Sequence, residues 1–184
     1  MAAPMLAATA LAIRVRMGAP VLFRQERAGM DGVPFTLVKF RTMTVREGDS
    51  FDPSEDGVRL TRLGRRLRRL SLDELPQVWN VLRGDMALVG PRPLPTVYVE
   101  RYDERQRRRL AVRPGITGLA QVSGRNAISW EDKLEVDVEY LERRSVSLDL
   151  QILWRTVAAV LRREGIAAEG QETMTEFLGT ARAA

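Results

Sequence analysis

The chain has 184 residues, 45% hydrophobic and 29% charged, which suits one domain with a buried core and is too apolar for a disordered chain. Its net charge of +5 points to an anionic partner, and it contains neither cysteine nor histidine. Disulfides, thiolate metal sites, cysteine nucleophiles and imidazole chemistry are thereby excluded, which leaves Asp, Glu, Lys, Tyr, Ser and Thr, with an oxygen-ligated metal if one takes part.

Residues 1–13 are uncharged and mostly apolar, followed by Arg14 and Arg16. They fall short of the about 20 apolar residues that span a bilayer and lack the basic leader of a signal peptide. A helix over 4–16 is expected, with Pro4 in its first turn, either in the core or in a membrane interface. Val21–Phe23 and Phe35–Phe40 read as two strands of a hairpin around the turn-rich stretch 27–34. Residues 46–58, with five acids, two glycines and a proline, read as a mobile loop. Leu60, Leu63, Leu67 and Leu70 recur at helical spacing among arginines 62, 65, 66, 68 and 69, predicting an amphipathic basic helix, interrupted near Gly64. Such a helix suits an anionic membrane surface or a globular surface equally.

Residues 73–83 are predicted helical. A Ser71 cap would form a box with Glu74 but would place Pro76 too deep, so capping by Asp73 is expected. In either register Asp73 and Glu74 stand at the positive end of a helix, where carboxylates and phosphates are favoured. A charged helix is predicted over 97–111, a loop over 112–118, a short strand over 119–122, a turn over 123–126, and two helices over 130–144 and 148–164. No internal repeat or inter-domain linker is visible, so 1–184 reads as one domain.

Three groups can carry chemistry. The first is Asp73–Glu74, adjacent carboxylates beside a block of arginines, read against simple capping. The second is Arg113-Pro-Gly-Ile-Thr-Gly118 with Ser123-Gly-Arg-Asn126, where glycines admit backbone N–H groups to a phosphate and an arginine grips it, read against two tight turns. The third is Gly90-Pro-Arg-Pro93, an arginine held between prolines, read against a rigid connector.

Together KFRTM (39–43), SLDELPQVWNVLRGDMALVGPRP (71–93), VRPGITGLAQVSGRNAISW (112–130) and LEVDVEYL (134–141) resemble the bacterial sugar transferases, and more narrowly the small monotopic phosphoglycosyl transferases. The resemblance runs in order from about Pro4 to Phe177. It implies an α+β fold, mostly helical, with a small β-hairpin and amphipathic interfacial helices, held monotopically at the cytoplasmic face of the bacterial inner membrane. It implies transfer of a phosphosugar from a UDP-sugar to undecaprenyl phosphate with release of UMP, the first membrane step of surface-glycan (exopolysaccharide) assembly. Asp73 would be the nucleophile, forming a phosphoaspartyl-sugar intermediate, and Glu74 would assist proton removal from the lipid phosphate. Magnesium (Mg2+) would sit at Asp73 and the diphosphate. Lys39, Arg41, Arg92, Arg113 and Arg125 are the expected phosphate and nucleotide contacts, with Asp137 a further polar candidate, read against a salt-bridge partner as the commoner role.

The ending GIAAEGQETMTEFLG is similar to members that use acetylated amino sugars such as diacetylbacillosamine. Family members carry a longer N-terminal segment that enters the bilayer, kinks at a proline and leaves on the same face. Pro4 stands near the start here, so residues 1–16 are expected to form only part of that membrane-associated helix. A homo-oligomer is compatible with this reading. The alternative is a basic nucleic-acid-binding protein using residues 59–70 and 105–109, but the chain shows no nucleic-acid motif and few interleaved aromatics, so no nucleic-acid partner is expected.

Overall fold

The computed structural model describes residues 2–45, 56–124, 128–162 and 176–179. The fold is α+β and mostly helical, with two small two-stranded sheets. Helix α1 (Ala2–Met17) leads into strand β1 (Leu22–Ala28), which pairs antiparallel with β2 (Pro34–Phe40), from Leu22↔Phe40 to Ala28↔Pro34. The hairpin is longer than predicted on its first strand. Gly29 closes its turn by donating to the Val33 carbonyl at 2.9 Å, and a Cβ at Gly29 would lie 2.8 Å from that same oxygen.

One turn of helix, α2 (Asp56–Arg59), follows; residues 46–55 of the expected mobile loop lie outside the described residues. Helix α3 (Arg62–Arg69) is the predicted basic helix, but Gly64 does not interrupt it. Thr61 caps it by accepting from the Gly64 N–H at 2.9 Å. Gly64 is where the helix meets the backbone after β2: a Cβ there would stand 1.9 Å from the Thr42 carbonyl oxygen. Ile13, Phe40 and Leu67 form one buried cluster that binds α1, the hairpin and α3 together.

The segment expected to be an α-helix capped by Asp73 is different. Ser71 adopts a left-handed conformation (φ 53°), makes no side-chain cap, and opens a 3-10 helix over Leu72–Gln77. Pro76 has no N–H and its ring obstructs the carbonyl four residues back, so the chain tightens here. The α-helix begins only afterwards, as α4 (Val78–Leu82).

Strand β3 (Ala87–Val89) pairs in parallel with β4 (Gly115–Thr117). Neither strand was predicted. The predicted helix 97–111 is three pieces: a 3-10 turn over Thr96–Arg101, helix α5 (Glu104–Arg107), and a 3-10 turn over Arg108–Ala111. Tyr102 is extended and Asp103 restarts the helix, with its side chain and that of Gln106 forming a reciprocal capping box. Residues 119–122 are helical rather than a strand, within α6 (Leu119–Ser123). Leu119 and Val122, three apart, both pack on the cluster of Val89, Tyr140 and Ile152.

Helices α7 (Trp130–Arg143) and α8 (Val146–Arg162) complete the described chain, as predicted apart from their ends. Ser129 caps α7 by accepting from the Asp132 N–H at 3.0 Å. A third cluster, Ala28, Leu94, Tyr98, Tyr102, Leu110, Leu134 and Phe177, lies under β1 and α7. Phe177 comes from the loosely patterned tail and stacks against Tyr98, Tyr102 and Trp130.

Candidate active site

The 3-10 turn over Leu72–Gln77 lies against β2, and Asn80 fixes the two together. This buried side chain donates to the Thr36 carbonyl at 2.8 Å and to Asp85 at 3.1 Å, and accepts from the Val38 N–H at 3.2 Å. Lys39, on the same strand, thereby faces Glu74, with Nζ to Oε1 at 3.0 Å. Arg92 reaches the same oxygen from the loop after β3, at 2.8 Å. The turn, a strand and a proline-flanked loop thus converge on one carboxylate.

The two acids are in opposite states. Burial opposes ionisation of Glu74, but Arg92 and Lys39 overcome it and hold the carboxyl well below its usual range. Asp73 is also buried, yet its carboxylate makes no hydrogen bond or ion pair among the described residues. Burial raises it, the Glu74 charge raises it further, and Lys39, Arg68 and Arg92 only partly offset them. Lys39 is lowered by its own burial, against the pull of Glu74.

The other residues expected at the site are distributed differently. Arg41 is buried and spent on the end of α1: it donates to the carbonyls of Ala19 at 3.3 Å, Gly18 at 2.9 Å and Met17. Arg113 is exposed, without a hydrogen bond or ion pair among the described residues. Arg125 lies outside the described residues. Asp137 is an ion-pair partner: its Oδ2 accepts from Arg109 Nε at 3.0 Å and Nη2 at 2.7 Å. The glycines of 113–118 serve backbone packing. Added Cβ atoms at Gly115 and Gly118 would stand 2.1 and 2.2 Å from Gly90 backbone atoms, and the Gly115 N–H is already given to the Pro91 carbonyl.

The sequence reading missed the particular parts played by three cations. Arg68, one of many in α3, acts on Asp73 and donates to Thr42 Oγ1 at 3.2 Å. Lys133 lies over the Trp130 ring at 5.1 Å; burial first, then the Arg92 charge, lowers it to about 8. Arg109 was hidden in the run 105–109. That run is bound to α7, by Arg105 with Glu135, Arg108 with Glu142 at 2.9 Å, and Arg109 with Asp137. Three arginines of the run proposed for nucleic acid are thus paired with acids of α7.

The bacterial sugar transferase description matches residues 1–163 of the chain. The chain belongs to the bacterial sugar transferase family. Its relatives in that family include sugar transferase EpsL of Bacillus subtilis, 52% identical over 94% of this chain and 85% of EpsL. The UDP-glucose:undecaprenyl-phosphate glucose-1-phosphate transferase of Caulobacter vibrioides is 44% identical over 86% of this chain and 63% of its own length. The Escherichia coli K12 protein of the same name is 43% identical over 84% of this chain, which spans only 35% of that relative. The sugar transferase family is thus carried on chains of very different length, and the site above lies in the part they share with this one.

Proposed function

We propose that this chain transfers a phosphosugar from a UDP-sugar to undecaprenyl phosphate, releasing UMP, with Asp73 as nucleophile. The observation that carries the reading is the pairing of a buried, unpartnered carboxylate with a neighbour locked by two cations. An Asp73 oxygen attacks the phosphorus that bears the sugar; the O–P bond forms as the bridging P–O bond breaks, and UMP leaves with the electron pair. A lipid-phosphate oxygen then attacks the same phosphorus, and the aspartyl–phosphorus bond breaks to restore Asp73. One hard displacement becomes two easier ones.

Lys39 and Arg92 are the groups best placed to receive the diphosphate, with Arg68 near the attacking carboxylate. In the resting site both paired cations rest on Glu74, which makes that carboxylate a poor proton acceptor. An entering diphosphate competes for them. Glu74 then loses its stabilising charges, its pKa climbs, and it becomes able to take a proton from the lipid phosphate. Binding thereby arms the base.

The donor set accords with magnesium. No group of three or more metal-binding side chains exists among the described residues, so an all-protein cage is not offered. One or two carboxylates that share the ion with substrate phosphates is the usual arrangement for Mg2+, and Asp73 has free oxygens for it. When bound, the ion supplies neutralisation of the charge between carboxylate and diphosphate.

We further propose that the protein sits monotopically on the cytoplasmic face of the inner membrane. No described helix is long and apolar enough to cross one. Leu11 and Val15 on α1, and Trp79 and Leu82 on α4, are exposed. Arg62, Arg65, Arg66 and Arg69 line a pocket on α3, as an anionic headgroup layer requires. Relatives named for UDP-glucose and UDP-galactose chemistry favour a hexose donor over the acetylated amino sugar suggested by the tail. Most of that tail lies outside the described residues.

The test is a panel of UDP-sugars assayed for UMP release with undecaprenyl phosphate and magnesium. Turnover on at least one donor is expected, as is a sugar-phosphate mass adduct on Asp73 when donor alone is supplied. Absence of UMP release across the panel refutes the proposed reaction. A clean intact mass from an active preparation refutes the covalent step.

A further inference from the structure

Arg92 stands between two prolines, so Pro91 and Pro93 give the loop no N–H groups by which to be tied down. Beyond Gly90, whose N–H donates to the Thr117 carbonyl at 2.9 Å, the loop is held by its carbonyls. Pro91 O accepts from the Gly115 N–H at 2.9 Å, and Leu94 O from the Ala28 N–H at 3.0 Å. Between them, Arg92 O accepts from a side chain, Arg109 Nη2, at 2.7 Å. That anchor is itself fixed. Arg109 is 3% exposed, donates twice to Asp137 Oδ2, donates through Nη1 to the Tyr102 hydroxyl at 3.2 Å, and lies 5.6 Å over the Tyr102 ring. Asp137 is 2% exposed, on the inner face of α7.

We infer that the buried Arg109–Asp137 pair is a positioning device that sets the backbone of Arg92, and through it the Arg92–Glu74 contact on which the site depends. The inference rests on the proposed phosphosugar transfer for its kinetic consequence but not for its structural one. Burying two charges is a costly way to join a helix to a turn; apolar residues of similar size do so as well or better. What an apolar pair does not provide is a donor aimed at the Arg92 carbonyl. A guanidinium held by a carboxylate supplies a charge-assisted donor in a fixed plane, where the carbonyls on either side of Arg92 are met by neutral backbone amides. Asp137, a polar candidate in the sequence and an ion-pair partner in the fold, thus acts at one remove.

The test separates positioning from packing. Asp137→Asn strands a buried guanidinium and endangers the fold, so the decisive variant is Arg109→Met with Asp137→Leu, which removes both charges and keeps the volume. Its folding is checked by circular dichroism. The readout is the Arg92 side chain itself, whose guanidinium resonances in nitrogen-15 NMR report its rotation. In the wild type the Nη2–Glu74 contact at 2.8 Å slows that rotation. With Arg92 loosened in the double variant the rotation speeds up, and the KM for the UDP-sugar rises about tenfold, short of the roughly hundredfold that a 1 Å misplacement can cost. Arg105→Gln, which breaks the surface pair to Glu135 on the same helix, leaves the rotation unchanged. A folded double variant whose Arg92 rotation and KM match the wild type overturns the inference, as does an Arg105→Gln variant whose rotation speeds up as far as the double variant's. Faster Arg92 rotation in a protein that releases no UMP from any donor upholds the positioning role while refuting the proposed reaction.

Discussion

Asp73→Asn is expected to make the protein more stable while it abolishes turnover. Asparagine is nearly the same size, so no cavity forms. What changes is the charge. Asp73 is 7% exposed, its carboxylate has no hydrogen-bond donor among the described residues, and it adjoins the ionised Glu74. Burial and that repulsion outweigh the attraction of Lys39, Arg68 and Arg92, so the folded site prefers a neutral side chain. Removing a charge held against such a preference gains on the order of 1 kcal/mol, by analogy with other buried unpartnered polar groups. In a chain of 184 residues that corresponds to a rise in Tm of about 2–4 °C at neutral pH. Turnover falls by about a thousandfold or more, because the side chain that accepts the phosphoryl group is gone.

The pH dependence makes this test specific. A carboxyl raised in the folded state binds more protons there than in the unfolded chain, so wild-type stability is lost as pH rises through the window above its unfolded value. Asparagine does not titrate. The Tm difference between variant and wild type is therefore greatest near neutrality and closes as the pH is lowered and Asp73 takes up its proton. Glu74 is present in both proteins, and its depressed pKa contributes stability that is lost only at the acid extreme. Thermal unfolding followed by circular dichroism between pH 4 and pH 8, on the order of the range set by carboxyl titration, reads the difference directly. A lower Tm for Asp73→Asn at neutral pH, or a gap that widens on acidification, refutes the argument that Asp73 is held as a disfavoured charge.

Two further outcomes follow from the packing. Gly64→Ala places a Cβ 1.9 Å from the Thr42 carbonyl oxygen, a backbone atom that cannot swing aside, so α3 is pushed from β2. A loss of about 1–3 kcal/mol is expected in urea unfolding, and an unchanged midpoint would show that the two elements slide freely. Trp79→Glu with Leu82→Glu changes side chains that are 59% and 76% exposed, so thermal stability should hold while sedimentation with anionic vesicles falls. Equal co-sedimentation of variant and wild type counts against α4 as a membrane contact.

Elements that satisfy themselves locally were legible in the sequence. The hairpin has a glycine-bearing turn and an apolar second strand, which placed it although β1 runs on through Arg24–Ala28, and α7 and α8 have long apolar periodicity. The parallel strands β3 and β4 could not be read. Each is three residues long, and their pairing depends on Gly90, Gly115 and Gly118 meeting backbone to backbone, a contact invisible in either segment alone. The same limit applied at the site. Adjacency exposed Asp73 and Glu74, and the flanking prolines singled out Arg92. Nothing local distinguishes Arg109 from the other arginines of its run, or Arg41 from Arg68; burial and partners decide, and both are tertiary. Asn80 was overlooked because an asparagine in a helical stretch usually faces solvent, whereas here it satisfies backbone groups of β2.

The 3-10 turn explains how neighbouring carboxylates come to differ so much. At about three residues per turn, successive side chains point roughly 120° apart. Lys39 and Arg92 act on both acids through space, but they make contact with Glu74 alone. Glu74 is held by Lys39 and Arg92, and Asp73 is a buried residue whose carboxylate has no hydrogen-bond donor among the described residues. An α-helix capped by Asp73, as the sequence suggested, would have given both acids the same amide-rich end and lowered both pKa values together. A carboxylate satisfied in that way is a poor nucleophile toward phosphorus, since its lone pairs are already engaged. The turn instead starts at Leu72, and Pro76, with no N–H to give the Leu72 carbonyl, keeps an α-helix from running through it until Val78. The proline in Asp-Glu-Leu-Pro thus acts on the chemistry at one remove, by imposing the backbone geometry that leaves Asp73 unsatisfied.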